Sequence, residues 1–100
     1  MGVFAGRAQL EIGDVSIEVD VTLYTRVEGA SGRVVWDGYF TATDQAGAGA
    51  VLEAQHASAG LVALRLRGVP GTSAVRITEL VDVYGDLEGL GQPPTWLRAG

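Results

Sequence analysis

Few side chains of this 100-residue chain could serve as a catalytic nucleophile or a general base. His56 is the single histidine, and there is no cysteine. A serine hydrolase needs a histidine to take the proton of its nucleophile, but no serine here lies in a Gly-x-Ser-x-Gly turn and no acidic residue adjoins His56. We therefore interpret His56 as a surface or loop residue and expect no catalytic residues in the chain.

The carboxylates have the chemistry for metal binding or acid–base catalysis, but their spacing argues against both. Asp82, Asp86 and Glu88 lie close together around two glycines. Ca²⁺ favours such oxygen ligands, but the spacing differs from that of the twelve-residue calcium loop. Glu18 and Asp20 would lie about 7 Å apart on one strand face, as solvated side chains do. Zinc would have one histidine and scattered carboxylates. We expect no metal site, no cofactor and no carboxylate-based enzyme.

The charges argue against polyanionic partners. Seven arginines face twelve acidic residues, the formal net charge is −5, and the chain contains neither lysine nor asparagine. Nucleic acid and anionic membranes bind clustered positive charge, whereas these arginines are scattered among acidic residues. We expect neither a nucleic acid nor a membrane as partner. A composition rich in Ala, Gly, Val and Arg indicates a high-GC bacterium or a phage that infects one.

Alternating apolar and polar residues predict the strands that position these side chains. The alternation is clearest over Val15–Val27 and indicates a long strand with one buried and one wet face. Similar segments lie on either side of it, at 7–12 and 33–43. The first is joined to it by the two-residue turn 13–14, which has the glycine position of a type II′ turn, and the second by the turn 29–32. These three strands form a meander.

Further strands follow in the second half of the chain. We predict them at 61–67 and at 74–84, with a short closing strand at 86–91. A turn at 69–73 contains Pro-Gly, which suits a type II turn. Glu79 interrupts the apolar face of its strand, so either a bulge turns it outward or it lies inside with an arginine partner.

The stretch between the third and fourth strands is ambiguous. Its alanines favour a short helix near 48–56 over a strand at 51–55, with Asp44 as the cap and Gly60 as the end. Two glycines argue against a helix over the whole stretch. At the C-terminus, two consecutive prolines predict an extended tail over 92–100.

The resulting fold class is mainly β. Five to six strands, short loops and one short helix predict a small antiparallel β-barrel or a compact β-sandwich, as a single domain over 1–100. No apolar run approaches 18 residues, and the N-terminus has neither a basic start nor a long apolar stretch. We expect a cytoplasmic or virion protein that is not secreted through a cleaved signal.

The aromatic residues are the most informative candidates for a site. Tyr24, Tyr39 and Tyr84 fall on the outward register of their strands, so they line one exposed patch if those strands adjoin. The alternative is isolated tyrosines that stack on neighbouring side chains. Trp96 follows the two prolines and either docks back to close a barrel end or reaches a neighbouring subunit. These four aromatic residues are the predicted contact residues.

Two short motifs carry a family resemblance. The run Gly-Arg-Val-Val-Trp-Asp-Gly at 32–38 follows the long strand, and Gly-Gln-Pro-Pro stands at 91–94. The chain thereby resembles a small β-barrel domain of unknown function in actinobacterial proteins, which occurs alone or appended to flavin monooxygenases. The resemblance implies a β-barrel fold and a non-catalytic accessory role, and it assigns no functional residues.

The sequence thus predicts a non-enzymatic structural or interaction protein that acts through protein–protein contacts. One version is a phage virion protein, such as a decoration or head–tail subunit; another is a bacterial accessory protein. Its partner is itself or a larger assembly, and we expect a homo-oligomer. The alternative is a small-molecule-binding β-barrel with an apolar ligand near Trp36 and Phe40, although small barrels usually fill their interior with side chains.

Overall fold

Six strands and two helices follow one another in a computed structural model, which describes residues 2–58 and 61–98. They are β1 (Val3–Ile12), β2 (Val15–Val27), β3 (Val34–Ala42), α1 (Gln45–Ser58), β4 (Leu61–Leu66), β5 (Ser73–Val81), β6 (Tyr84–Gly89) and α2 (Thr95–Arg98). The strands are antiparallel and pair in the order β1-β2-β3-β6-β5-β4, with β4 returning to β1. Of the two predicted architectures, the closed barrel is therefore confirmed.

The predicted meander of β1, β2 and β3 is confirmed. Ile12 pairs with Val15 across the two-residue turn, and Gly13 at its first position has a φ of 58°. A positive φ at the first position alone is typical of a type II′ turn. β1 starts at Val3, before the predicted start at Arg7. Its early residues are held because Gly2 and Thr25 exchange hydrogen bonds of 2.9 and 3.1 Å.

The predicted strand over 74–84 is wrong, because it contains a hairpin. β5 ends at Val81, and Asp82 and Val83 form a tight turn into β6. Asp82 has a φ of 54°, a left-handed conformation that aspartate tolerates better than most residues. Tyr84 therefore belongs to β6. Of the two alternatives for Glu79, the bulge that turns it outward is confirmed. The register shifts between Ile77 and Glu79, and Glu79 is exposed.

The helix α1 spans Gln45–Ser58 and is longer than the predicted helix near 48–56. Gly47 and Gly49 both lie within it. Asp44 caps it as predicted, because its Oδ1 accepts a hydrogen bond of 2.7 Å from the Gly47 N–H. Val51 is fully buried against the barrel. The cap and this packing outweigh the low helix propensity of two glycines. Gly60, the predicted helix end, lies outside the described residues.

The two prolines predict an extended tail over 92–100, but the structure shows that this tail is not extended throughout. Thr95–Arg98 form one helical turn, and the Leu97 N–H bonds to the Pro94 carbonyl at 3.0 Å. Leu97 is 1% exposed and joins the core, and the Trp96 ring packs edge-on against Phe4. Proline is compatible with the start of a helix, where its missing N–H has no partner to lose. No helix within residues 2–58 and 61–98 has the length and apolarity needed to cross a membrane.

The barrel interior contains the apolar faces of the strands. The largest fully buried side chains are Trp36, Phe40, Leu10, Leu23, Leu64, Leu97, Val19, Val51 and Val75. Trp36 and Phe40 of β3 are core residues. Each ring lies against a glycine of β6: a Cβ at Gly89 would come within 2.1 Å of the Trp36 ring, and one at Gly85 within 2.4 Å of the Phe40 ring.

Gly38 lies in the middle of β3 and forms no bulge. The pairing of β2 and β3 runs through it without a register shift. A Cβ at Gly38 would lie 2.1 Å from the Thr22 carbonyl oxygen and 2.8 Å from the Leu23 side chain. Glycine is therefore needed here because β2 and β3 approach each other closely.

Candidate functional site: an outward tyrosine face

Three neighbouring strands carry the tyrosines on one outer surface. β3 lies between β2 and β6 in the barrel. Side chains alternate between the inner and outer faces of a strand, so Tyr24 of β2, Tyr39 of β3 and Tyr84 of β6 all point outward. Their exposed fractions are 36%, 39% and 43%. We call these three residues the tyrosine face. They are all the tyrosines of the chain.

The strand register brings two of the rings together. Tyr39 pairs with Asp86 on β6, and Tyr84 pairs with Thr41 on β3, so the two tyrosines are diagonal neighbours. Diagonal positions are within reach of aromatic side chains. The rings stack with centroids 5.7 Å apart and planes 27° apart. Tyr24 pairs with Asp37 on the other side of β3.

Asp86 is hydrogen-bonded to the stacked pair. Its Oδ1 accepts a hydrogen bond of 3.0 Å from the Tyr84 hydroxyl. This bond raises the pKa of the Tyr84 phenol, since it favours the protonated form; partial desolvation and the charge of Asp86 act in the same direction. Glu79 of β5 pairs with Asp86 across the next ladder. The tyrosine face is therefore bordered by two carboxylates.

Each of the remaining strand carboxylates is paired with an arginine. Among the described residues, the arginine–carboxylate pairs on the strands are Arg7 with Glu18 and Asp20, Arg26 with Asp37, Arg65 with Glu11, and Arg76 with Glu88. The Arg65 hydrogen bond lowers the pKa of Glu11. Glu79 and Asp86 make no ion pair within the part of the chain that the structure describes. The two strand carboxylates without an arginine partner in the described residues thus lie beside the tyrosines, while Glu18 and Asp20 share one arginine.

A family model described as "Domain of unknown function (DUF4873)" matches residues 2–97. The chain belongs to this family. The match includes all six strands and both short motifs that carry the resemblance in the sequence. No curated protein and no solved structure matched the chain.

Trp96 does not lie on the outer surface of this DUF4873 domain. It packs on Phe4, an inward residue of β1, with ring centroids 5.7 Å apart and an interplanar angle of 71°. Of the two roles that the sequence leaves open for Trp96, the structure has the docked one. The structure thus brings three of the four predicted contact residues together and places the fourth at a barrel end.

The interior near Trp36 and Phe40 is occupied by the protein's own side chains. The two residues are 1% and 0% exposed. The Trp36 Nε1 is buried without a hydrogen-bond acceptor among the described residues. The Trp36 ring packs on Gly89 of β6.

Sequence reasoning missed Asp86 and Glu79 as neighbours of the tyrosines. The alternation over 74–84 continues through the turn at Asp82, and this hides the start of β6. With β6 starting at Tyr84, the period of two places Asp86 on the same outer face. The one available signal was Asp82, a residue type that favours turns.

Proposed function

We propose that this DUF4873 chain is a non-enzymatic interaction module that binds a protein partner through the tyrosine face, with basic side chains of the partner on that face. The observation that carries the proposal is the convergence of all three tyrosines beside Asp86 and Glu79, the two strand carboxylates without an arginine. The face is an outer surface of a rigid barrel, which suits a contact that needs no rearrangement.

Tyrosines supply contact area at little entropic cost. A tyrosine ring is large and amphipathic, and it has few rotatable bonds to immobilise. Interfaces are enriched in tyrosine for this reason, and tyrosine is frequent among the residues that dominate binding energy. The stacked pair of Tyr39 and Tyr84 is already ordered in the isolated chain, which reduces the entropy lost on binding.

Charge complementarity supports a basic partner. An arginine or lysine over an aromatic ring gains about 0.5–1 kcal/mol at an exposed site and about 2 kcal/mol when desolvated. A carboxylate beside the ring adds a charge-assisted hydrogen bond. Asp86 and Glu79 can supply this bond next to Tyr39 and Tyr84. A second copy would instead bring its own Asp86 and Glu79 to this face, so we propose a different protein.

The module is proposed as an accessory part of a larger assembly. The family resemblance implies a domain of actinobacterial proteins that occurs alone or is appended to flavin monooxygenases, and an accessory role agrees with a surface that binds without chemistry. A subunit of a phage virion is the other version of the same function. Both versions use the same face and make the same predictions for it.

An NMR titration tests the proposal. We would add a blocked peptide of alternating arginine and glycine to the ¹⁵N-labelled chain and follow the amide shifts. Saturable shifts are expected around Tyr39, Tyr84 and Asp86. The double variant Asp86→Asn/Glu79→Gln should bind about tenfold more weakly, equivalent to about 1.4 kcal/mol. Glu53→Gln, which removes an exposed carboxylate from α1, is the matched control and should bind like the wild type.

Two results would contradict the proposal. One is a shift map that follows all acidic residues equally, because this is non-specific charge attraction. The other is equal weakening by Glu53→Gln and by the double variant. Light scattering without peptide tests for a second copy. If the mass doubles with protein concentration, and if Tyr39→Ser abolishes this doubling, the tyrosine face binds a second copy of the chain and not a basic partner.

A further inference from the structure

Part of one edge of β1 is not covered by any strand among residues 2–58 and 61–98. Along one side, β1 pairs with β2 over its whole length, from Val3 to Ile12. Along the other side, it pairs with β4 only from Ala8 to Glu11. β4 therefore closes the barrel along Ala8–Glu11 only. The side of Val3–Arg7 that faces away from β2 has no strand beside it among the described residues.

The direction of the open backbone groups follows from the ladder. The Thr25 N–H bonds to the Gly2 carbonyl at 3.1 Å, so Gly2 directs its backbone toward β2. Backbone groups of successive residues in a strand point to opposite sides. Val3, Ala5 and Arg7 thus direct their N–H and C=O groups to the open edge. Such a row is a template for pairing with another chain.

A groove continues this edge. It has a volume of about 510 Å³ and runs between β1 and the loop that follows β4. Its lining includes Arg7, Arg65 and Arg67 and, on the side of the loop, Gly68, Val69 and Pro70. The chain leaves the sheet at Gly68, which has a φ of 80°, and the Val69 N–H folds back to the Leu66 carbonyl at 3.2 Å. This departure opens the groove.

The charge of the groove selects the occupant. Arg7, Arg65 and Arg67 line it, but Arg7 is bonded to Glu18 and Asp20, and Arg65 to Glu11, so Arg67 is the arginine that remains for an occupant. Arg67 makes no ion pair with a described residue, whereas Arg7 and Arg65 pair with carboxylates of β1 and β2. An extended chain with acidic side chains would complement this surface. A second copy paired through the same edge would bring a second Arg67 to it and not an unpaired carboxylate.

We propose that the open edge of β1 takes an extended acidic segment of a partner protein as an additional strand. The segment exchanges backbone hydrogen bonds with Val3, Ala5 and Arg7, and its carboxylates lie toward Arg67 and the neighbouring arginines. Backbone pairing gives affinity, and the arginines give selectivity for acidic side chains. Val3 pairs with Tyr24 on the β2 side, but the open backbone groups lie on the opposite side of β1, so this proposal uses no side chain of the tyrosine face and stands independently of the proposed function.

Amide hydrogen exchange with a defined peptide is the test. We would use a blocked peptide that alternates threonine with glutamate, and the same length of threonine with arginine as the comparison. In the free chain, the amides of Val3, Ala5 and Arg7 should exchange fast and those of Phe4 and Gly6 slowly. The acidic peptide should slow the first three at least about tenfold, and the basic peptide should leave them unchanged.

Ala5→Pro removes one open-edge donor without breaking the ladder to β2, because proline is tolerated on an edge that faces solvent. It should abolish the protection of Val3 and Arg7 by the peptide. Arg67→Glu tests the groove without touching a strand and should weaken binding about tenfold. Arg33→Glu changes an exposed arginine of the β2–β3 turn by the same charge and should bind like the wild type.

Three results would overturn the proposal. Peptide-induced protection that lies outside Val3–Arg7 would place the segment elsewhere. Wild-type binding by Ala5→Pro would contradict the backbone pairing. Wild-type binding by Arg67→Glu would contradict the selectivity for acidic side chains. Protection of Val3, Ala5 and Arg7 without peptide, together with a doubled mass by light scattering, would assign the edge to a second copy of the chain.

Discussion

The contact between Trp36 and Gly89 shows how the core depends on single atoms. The tryptophan ring lies where the side chain of any other residue at position 89 would begin, and Phe40 lies over Gly85 in the same way. Aromatic rings placed over glycines recover packing that the glycines themselves cannot supply. The two β3–β6 contacts also fix the neighbours of Tyr39 and Tyr84, because these tyrosines lie on the outer side of the same two strands.

Gly89→Ala should destabilise the fold. The added Cβ would lie 2.1 Å from the Trp36 ring, so the ring must shift. We expect the free energy of unfolding, measured with urea, to fall by about 1–3 kcal/mol. Gly49→Ala is the matched control: no atom lies within 4 Å of its Cβ, and alanine favours the helix. It should raise stability by about 0.5–1 kcal/mol. Equal effects of the two variants would contradict this account of the core.

The Tyr84 phenol should titrate above its ordinary pKa of 10.0, because Asp86 accepts its proton in a hydrogen bond. A raised pKa means that the folded state favours the protonated phenol. The contribution of this bond to stability is then fully present below pH 10 and lost as the pH rises through the raised pKa. Absorbance of the phenolate should show the Tyr84 titration moving to lower pH in Asp86→Asn. An unchanged titration would exclude the bond.

The elements differ in how far the sequence predicts them. The period of two identifies β2 and β3 because one face is buried along most of their length. It fails at Asp82 because Val81 and Val83 continue the alternation although neither is buried. The length of α1 depends on burial of Val51 against the barrel, which no local pattern shows. Likewise, outward tyrosines follow from the period, whereas their convergence depends on the order of the strands.

The cap of α1 is a local interaction that can be removed alone. The Asp44 carboxylate bonds to the Gly47 N–H, and Asp44→Ala leaves this donor without its partner. We expect a loss of about 1 kcal/mol in the free energy of unfolding, whereas Asp44→Asn, which retains an acceptor, should lose less. Urea unfolding at neutral pH measures both. If both variants match the wild type, the helix does not depend on its cap.

At the scale of the whole molecule, the barrel is covered at both ends. α1 packs Val51 and Ala48 against one end, and the C-terminal segment inserts Leu97 at the other. Each end is thereby sealed by a part of the chain that lies outside the strand ladder. The outer surface remains for binding, with the tyrosine face on β2, β3 and β6 and the open edge on β1.

Leu97→Ala tests the seal of the C-terminal end. Leu97 is 1% exposed and contacts the core, so its truncation should lower the free energy of unfolding by about 2–5 kcal/mol. Leu52→Ala on α1 is the control, because that side chain is 47% exposed. Urea unfolding of the two variants compares them directly. A cost for Leu97→Ala no larger than that for Leu52→Ala would show that the segment does not close the barrel.

The central claim is that the tyrosine face is the surface that meets the partner, and tyrosine nitration reads this face alone because all three tyrosines lie on it. We would nitrate the purified chain and the chain in its native assembly, and quantify each tyrosine by mass spectrometry. Carbodiimide labelling of Glu53 would control for general access. We expect Tyr39 and Tyr84 to react in the purified chain and to be protected in the assembly, with Glu53 labelled in both. Equal nitration of the two samples would contradict the claim.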